Sequence, residues 1–171
     1  MPSSPTCGPI LGSQNEERSM SDALAGLYQE LILDHSRRRI GEGPLENADA
    51  EKFERNPSCG DEITVRITVD ATGTRLESLA WEGAGCSISM ASASALTELV
   101  GHDSLADITP RIDAFRAMLR SRGADEGDED LLGDAIAFAG VSKYVMRVKC
   151  AMLSWVALEA CLADIDARAI G

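Results

Sequence analysis

Three cysteines and one aspartate supply the residue types from which metal or sulfur chemistry is built. Cys59 and Asp61 lie in "NPSCGDEI", Cys86 in "GAGCSIS" and Cys150 in "VMRVKCAMLSW". A thiolate is both a nucleophile and a soft metal ligand, and a carboxylate adds a hard oxygen. The chain has no Cys-x-x-Cys pair, so spacing alone is a weak zinc signal. "NPSCGDEI" also has a plain structural reading, because Asn, Pro, Ser, Gly and Asp are all turn formers. What separates a turn from a site is whether the fold brings the distant cysteines to it.

The elements around these residues suggest that it does. "EITVRITV" alternates, with Ile63, Val65, Ile67 and Val69 on one face and polar residues on the other. "DATG" reads as a turn and "TRLESLAWE" as the returning strand. A turn centred on Thr72 pairs Val65 with Leu79 and Ile63 with Trp81. Ile67 then meets Glu77, a mismatch that a bulge near the turn would relieve. The same register sets Cys59 opposite Gly85, beside Cys86, and opposed residues have Cβ atoms about 5 Å apart. Cys86 enters a helix expected over 87–100, whose N-terminus favours a thiolate. Small residues at 91–95 let this helix pack closely on its neighbours, and Gly101 ends it.

The remaining elements follow from periodicity and capping. Ser21 caps a first helix with Asp22 in its first turn, and Leu24, Leu27, Tyr28, Leu31 and Ile32 share a face. It ends at Arg37, Arg38 and Arg39, which read as a solvated helix end or a docking patch for an acidic partner. A short strand is expected near 52–55. Thr109 caps a further helix, with Pro110 at its first position and Ile112, Phe115 and Leu119 as the buried stripe. "GADEGDED" reads as a solvated acidic loop. A last helix over 141–167 places Cys150, Leu153, Ala157, Cys161 and Ile165 on its inner face. Cys161 lies about 16 Å beyond Cys150 on that face, so it reads as core filler and not as a second ligand. His35, ending the first helix, and His102, in a loop, carry ordinary structural readings.

Composition narrows the class. With 171 residues, 44% of them apolar, the chain can bury the core of one domain, expected over 21–171. Residues 1–20 are rich in Pro, Ser and Gly and read as a disordered tail, with Cys7 a chance thiol and Met20 an alternative start. The net charge of −12 argues against nucleic acid and anionic membrane as partners. No apolar run approaches a bilayer span and no signal peptide is evident, so a cytoplasmic protein is expected. Five scattered cysteines then point to metal or sulfur chemistry and away from disulfides.

Together, "NPSCGDEI", "GAGCSIS" and "FAGVSKYVMRVKCAMLSW" resemble the SufU-type iron–sulfur cluster assembly proteins, relatives of the IscU and NifU scaffolds, over residues 24–163. The resemblance implies an α+β fold, a small antiparallel sheet packed against helices. It implies Cys59, Asp61, Cys86 and Cys150 as zinc ligands, with Cys59 accepting sulfur from a SufS-type cysteine desulfurase. Other cluster assembly proteins are implied as partners. The alternative is a scaffold that assembles a transient iron–sulfur cluster on the same ligands; a purely structural zinc site is a third reading. The extra segment "RGADEGDEDLLGDAIAFAGV", Lys149 in place of the IscU-type histidine, and the absence of a Leu-Pro-Pro-Val-Lys motif favour the SufU branch. "DHSRRRIGEGP" departs from the family's His-Tyr-x-x-Pro-Arg-Asn. Three thiolates and a carboxylate around zinc are formally dianionic. Arg147, one turn before Cys150, either offsets that charge from a second layer or is an exposed helical arginine.

Overall fold

The computed structural model describes the backbone of residues 7–170 and the side chains of residues 22–169. Helix α1 (Cys7–Arg38) leads to a three-stranded antiparallel sheet in the order β1 (Ala50–Arg55), β2 (Glu62–Val69), β3 (Leu76–Ala84). Helices α2 (Ser87–Val100) and α3 (Leu105–Arg120) follow, then a short α4 (Glu129–Leu132), a 3-10 helix (Gly133–Lys143) and the long α5 (Val145–Ile170). The expected α+β architecture, a small sheet packed against helices, is the one found. Among the described residues no helix is long and apolar enough to cross a membrane.

The sheet shows why the helices lie where they do. Ile63, Val65 and Ile67 of β2 and Trp81 of β3 are at most 1% exposed and face the helices. On the other face Arg66 bridges the sheet, donating to Glu51 of β1 and Glu82 of β3 at 2.7 Å each. Residues 91–95 of α2 are all buried, and their small side chains let α5 approach. There Ser92 Oγ donates to the Ala151 carbonyl at 2.6 Å and accepts from Trp155 Nε1 at 2.9 Å. Trp155 stacks on Phe115 of α3 with ring centroids 3.9 Å apart. The expected inner face of α5 is buried throughout, including Cys161, whose thiol reaches the Val65 carbonyl at 3.6 Å.

Several boundaries differ from the sequence reading. The hairpin register is two residues further along: Val65 faces Trp81 and Ile67 faces Leu79, so the Ile67–Glu77 mismatch does not arise. The cause is a wider turn, closed by the Asp70 carboxylate accepting from Thr72 Oγ1 and from the Thr74 and Arg75 N–H groups. The irregularity expected near the turn is present, between Thr68 and Val69. Helix α3 begins at Leu105, where Ser104 Oγ accepts from Asp107 N–H, so Pro110 lies inside the helix and not at its start. Helix α5 starts at Val145, because the preceding residues form the 3-10 helix that buries Ala135, Ala137, Phe138 and Val141.

Helix α1 extends back to Cys7, through most of the stretch read as a disordered tail, with Pro9 in its first turn, where a missing N–H is tolerated. Residues 1–6 and the Cys7 side chain lie outside the described residues. Leu24 and Leu27, expected on a packed face, are 45% and 56% exposed.

His35 is more than a helix terminus. It is 1% exposed, with Nδ1 2.9 Å from Ser94 Oγ and Nε2 3.2 Å from Asp134 Oδ2. It groups with Glu98 and Asp134 as potential metal donors, but Arg38 also lies 3.5 Å from Glu98. The cluster reads as a polar tie between α1, α2 and the 3-10 helix. Arg39, the last of the three arginines, pairs with Glu42 and covers Trp81 at 5.3 Å.

Candidate metal centre

Asp61, Cys59, Cys86 and Cys150 come from three separate parts of the chain and meet at one end of the sheet. The observed register carries Asp61, and not Cys59, to Gly85. A Cβ built on Gly85 would lie 2.6 Å from the Asp61 carboxyl carbon, so only glycine lets the carboxylate sit there. Cys86 follows directly and precedes α2. The α2–α5 packing then sets Cys150, in the second turn of α5, beside the hairpin end.

The loop holding Cys59 is both a turn and a carrier of chemistry. Gly60 N–H donates to the Asn56 carbonyl at 2.8 Å, closing the turn, and Gly60 takes φ +77°, a conformation that favours glycine. Asn56, 4% exposed, organises the loop from inside. Its N–H donates to the Asp61 carbonyl at 2.8 Å, its Oδ1 accepts from Ser58 N–H at 3.1 Å, and its Nδ2 points at Cys150 Sγ from 3.9 Å.

Ligand atoms of Cys59, Asp61 and Cys150 all lie within 4.8 Å of one another. Cys59 Sγ is 3.4 Å from Cys150 Sγ, and Cys86 Sγ is 3.2 Å from Asp61 Oδ2. Sulfurs bound tetrahedrally at about 2.3 Å from zinc stand roughly 3.8 Å apart, close to the spacing of Cys59 and Cys150, whereas Cys86 lies outside this group and reaches it through the Asp61 carboxylate. Three thiols and one carboxylate match the soft and borderline donors that zinc accepts. The donor set therefore fits a zinc ion.

Exposure divides the four residues. Cys59 is exposed and Cys86 half-buried, while Cys150 and Asp61 are buried. Burial pushes the Cys150 thiol well above its ordinary value, with neighbouring Cys59, Asp61 and Cys86 adding to the rise. At Asp61 burial also pushes upward, but hydrogen bonds from Ser89, Cys86, Cys150 and Cys59 outweigh it and hold the carboxyl below its usual range. Cys161 is apart from this site; burial, then Asp164, push its thiol up to about 12. Arg147 is exposed, and among the described residues its side chain makes no hydrogen bond or ion pair to the site.

Three neighbours of the centre escaped the sequence reading: Asn56, Gly85 and Ser89. In the sequence Gly85 is only the register partner expected for Cys59, and Asn56 an ordinary turn residue. For Ser89 the available signal was a hydroxyl three residues after Cys86, one helical turn from a candidate ligand.

Comparison with known proteins gives this arrangement a context. The family model described as the NifU-like N-terminal domain matches residues 27–164. The zinc-dependent sulfurtransferase SufU of Bacillus subtilis is 38% identical over 141 residues, covering 82% of this chain and 92% of that protein. The iron–sulfur cluster assembly scaffold protein IscU of Streptococcus pyogenes is 35% identical over 133 residues, covering 78% and 80%. The crystal structure of FiSufU from Fervidobacterium islandicum superposes with a TM-score of 0.71 at 34% identity, covering 78% of this chain and 94% of that one. The chain belongs to the NifU-like N-terminal domain family.

Proposed function

We propose that this protein is a zinc-bound sulfur acceptor in iron–sulfur cluster assembly, taking persulfide sulfur from a SufS-type cysteine desulfurase. The observation that carries this reading is the pairing of an exposed loop cysteine, Cys59, with a buried helical cysteine 3.4 Å away and a buried carboxylate. Cys59, Asp61, Cys86 and Cys150 would hold the zinc. Bound there, zinc keeps its cysteines as thiolates at neutral pH.

Each residue has a separate part. The Cys59 sulfur attacks the outer sulfur of the desulfurase persulfide; the new S–S bond forms as the old one breaks, and the desulfurase cysteine leaves as its thiolate. Cys150 and Asp61, both buried, are the fixed side of the site. Tyr144, Val145 and Met146, just before Cys150, are exposed and apolar, and this surface supports docking of a protein partner beside Cys59. Arg147, also exposed there, is proposed to offset the site's negative charge or to meet the partner.

The scaffold reading, with a transient iron–sulfur cluster on the same four residues, stays open because IscU-type relatives match over similar lengths. The SufU-like segment before Cys150 and the lysine at 149 favour the sulfur-acceptor reading. The test is metal analysis of the purified chain together with a desulfurase assay run with and without it. About one zinc per chain and stimulated sulfide release are expected. Iron and sulfide retained after anaerobic reconstitution and passed to an apo-target, with no desulfurase stimulation, would replace this reading with the scaffold.

A further inference from the structure

Asp61 is the single carboxylate of the centre, and both of its oxygens are held. Oδ1 accepts from the Cys86 backbone N–H at 3.2 Å. Oδ2 accepts from the Ser89 hydroxyl and, at 3.2 Å, from the Cys86 thiol. Ser89 is 1% exposed and Asp61 4%, so water has little access to replace these donors. The first turn of α2 thus presents a backbone N–H and a side-chain O–H to a carboxylate brought in by the hairpin.

The donors differ chemically. A cysteine that becomes a thiolate has no proton left to give, so the Cys86 thiol stops donating once it serves as a ligand. The Ser89 hydroxyl keeps its proton at every pH the protein meets. Among the described residues it is the one side-chain donor to Oδ2 that survives conversion of the centre to thiolates.

We infer that Ser89 is a positioning residue for Asp61. Its hydroxyl fixes the carboxylate and draws off part of its charge among the thiolates, and so sets how quickly the centre gives up its metal. This rests on the metal-binding reading above. Partners of this kind change metal affinity by about 10–100-fold when removed.

The experiment follows zinc transfer from the full-length zinc-loaded chain to a chromogenic chelator. Variants are Ser89→Ala, Ser89→Thr, Asp61→Ala and the Asp61→Ala/Ser89→Ala double variant, with thermal unfolding of the metal-free forms as a folding control. Ser89→Ala is expected to speed zinc loss about 10-fold or more, and Ser89→Thr, which keeps the hydroxyl, to restore slow loss. In the Asp61→Ala background removal of Ser89 should add nothing, because the two act as one unit. An unchanged rate in Ser89→Ala overturns the inference. So does an equal acceleration with and without Asp61, which would mean that Ser89 acts through packing of α2. If Ser89→Thr fails to fold, the double-variant comparison alone decides. A wild-type chain that takes up no zinc would remove the metal reading itself, whereas a zinc-loaded wild type matched by Ser89→Ala removes only the role of Ser89.

Discussion

Cys59 and Cys150 lie 3.4 Å apart in opposite surroundings, the first exposed and the second 2% exposed. Their substitutions should therefore differ. Cys59→Ala is expected to abolish desulfurase stimulation while costing less than about 0.5 kcal/mol of folding stability, since an exposed side chain is lost; denaturant melts beside the activity assay check both. Asp61→Ala keeps all three thiols and should retain part of the zinc, measured by metal analysis. Gly85→Ala tests the close approach: the added methyl must displace the Asp61 carboxylate, so zinc affinity should fall although no ligand is changed. Protonation adds a sign. Burial keeps the proton on the Cys150 thiol at neutral pH, so metal uptake must release it, and zinc affinity should rise with pH. Calorimetry in buffers of different ionisation enthalpy would count the protons. Asp61 acts oppositely on the metal-free fold. Its depressed value contributes stability above the ordinary carboxylate range near ~3.9, which is lost as pH falls through the folded value.

Elements were legible where one face is buried and hard to read where a side chain redirects the backbone. Periodicity placed the inner face of α5, which follows from which residues must leave water, and the Gly101 stop placed the end of α2. The hairpin register slipped by two because Asp70 closes a wider turn than the turn residues alone suggest. That slip exchanged the partner of Gly85 from Cys59 to Asp61, yet the site still assembled, since both residues leave the same loop. The start of α3 was missed because Ser104 and Thr109 are both good caps and only the tertiary bridge of Arg75 with Ser104 distinguishes them. Cys161 belongs to this scale. Cys161→Ser should lower stability by roughly 1–2 kcal/mol by placing a hydroxyl in a fully buried position, with zinc content unchanged. Zinc loss in that variant would contradict the separation of Cys161 from the centre along α5.

The molecule as a whole uses its sheet and the packed helices α2 and α5 to bring distant residues together. β2 and β3 deliver Asp61 and Cys86, α5 delivers Cys150, and the turn held by Asn56 presents Cys59 to solvent. The four candidate ligands were legible as residue types with matching motifs, whereas the residues that orient them, Asn56, Gly85 and Ser89, gain meaning only from tertiary contacts. The division between the exposed sulfur of Cys59 and the buried Cys150 and Asp61 is the central claim, and locating the transferred sulfur tests it most directly. The zinc-loaded chain is mixed with the desulfurase and cysteine, persulfides are trapped by alkylation, and the modified residue is found by mass spectrometry. The account predicts the persulfide on Cys59 and none on Cys161. Label confined to Cys86 or Cys150, or full desulfurase stimulation by Cys59→Ala, would contradict it.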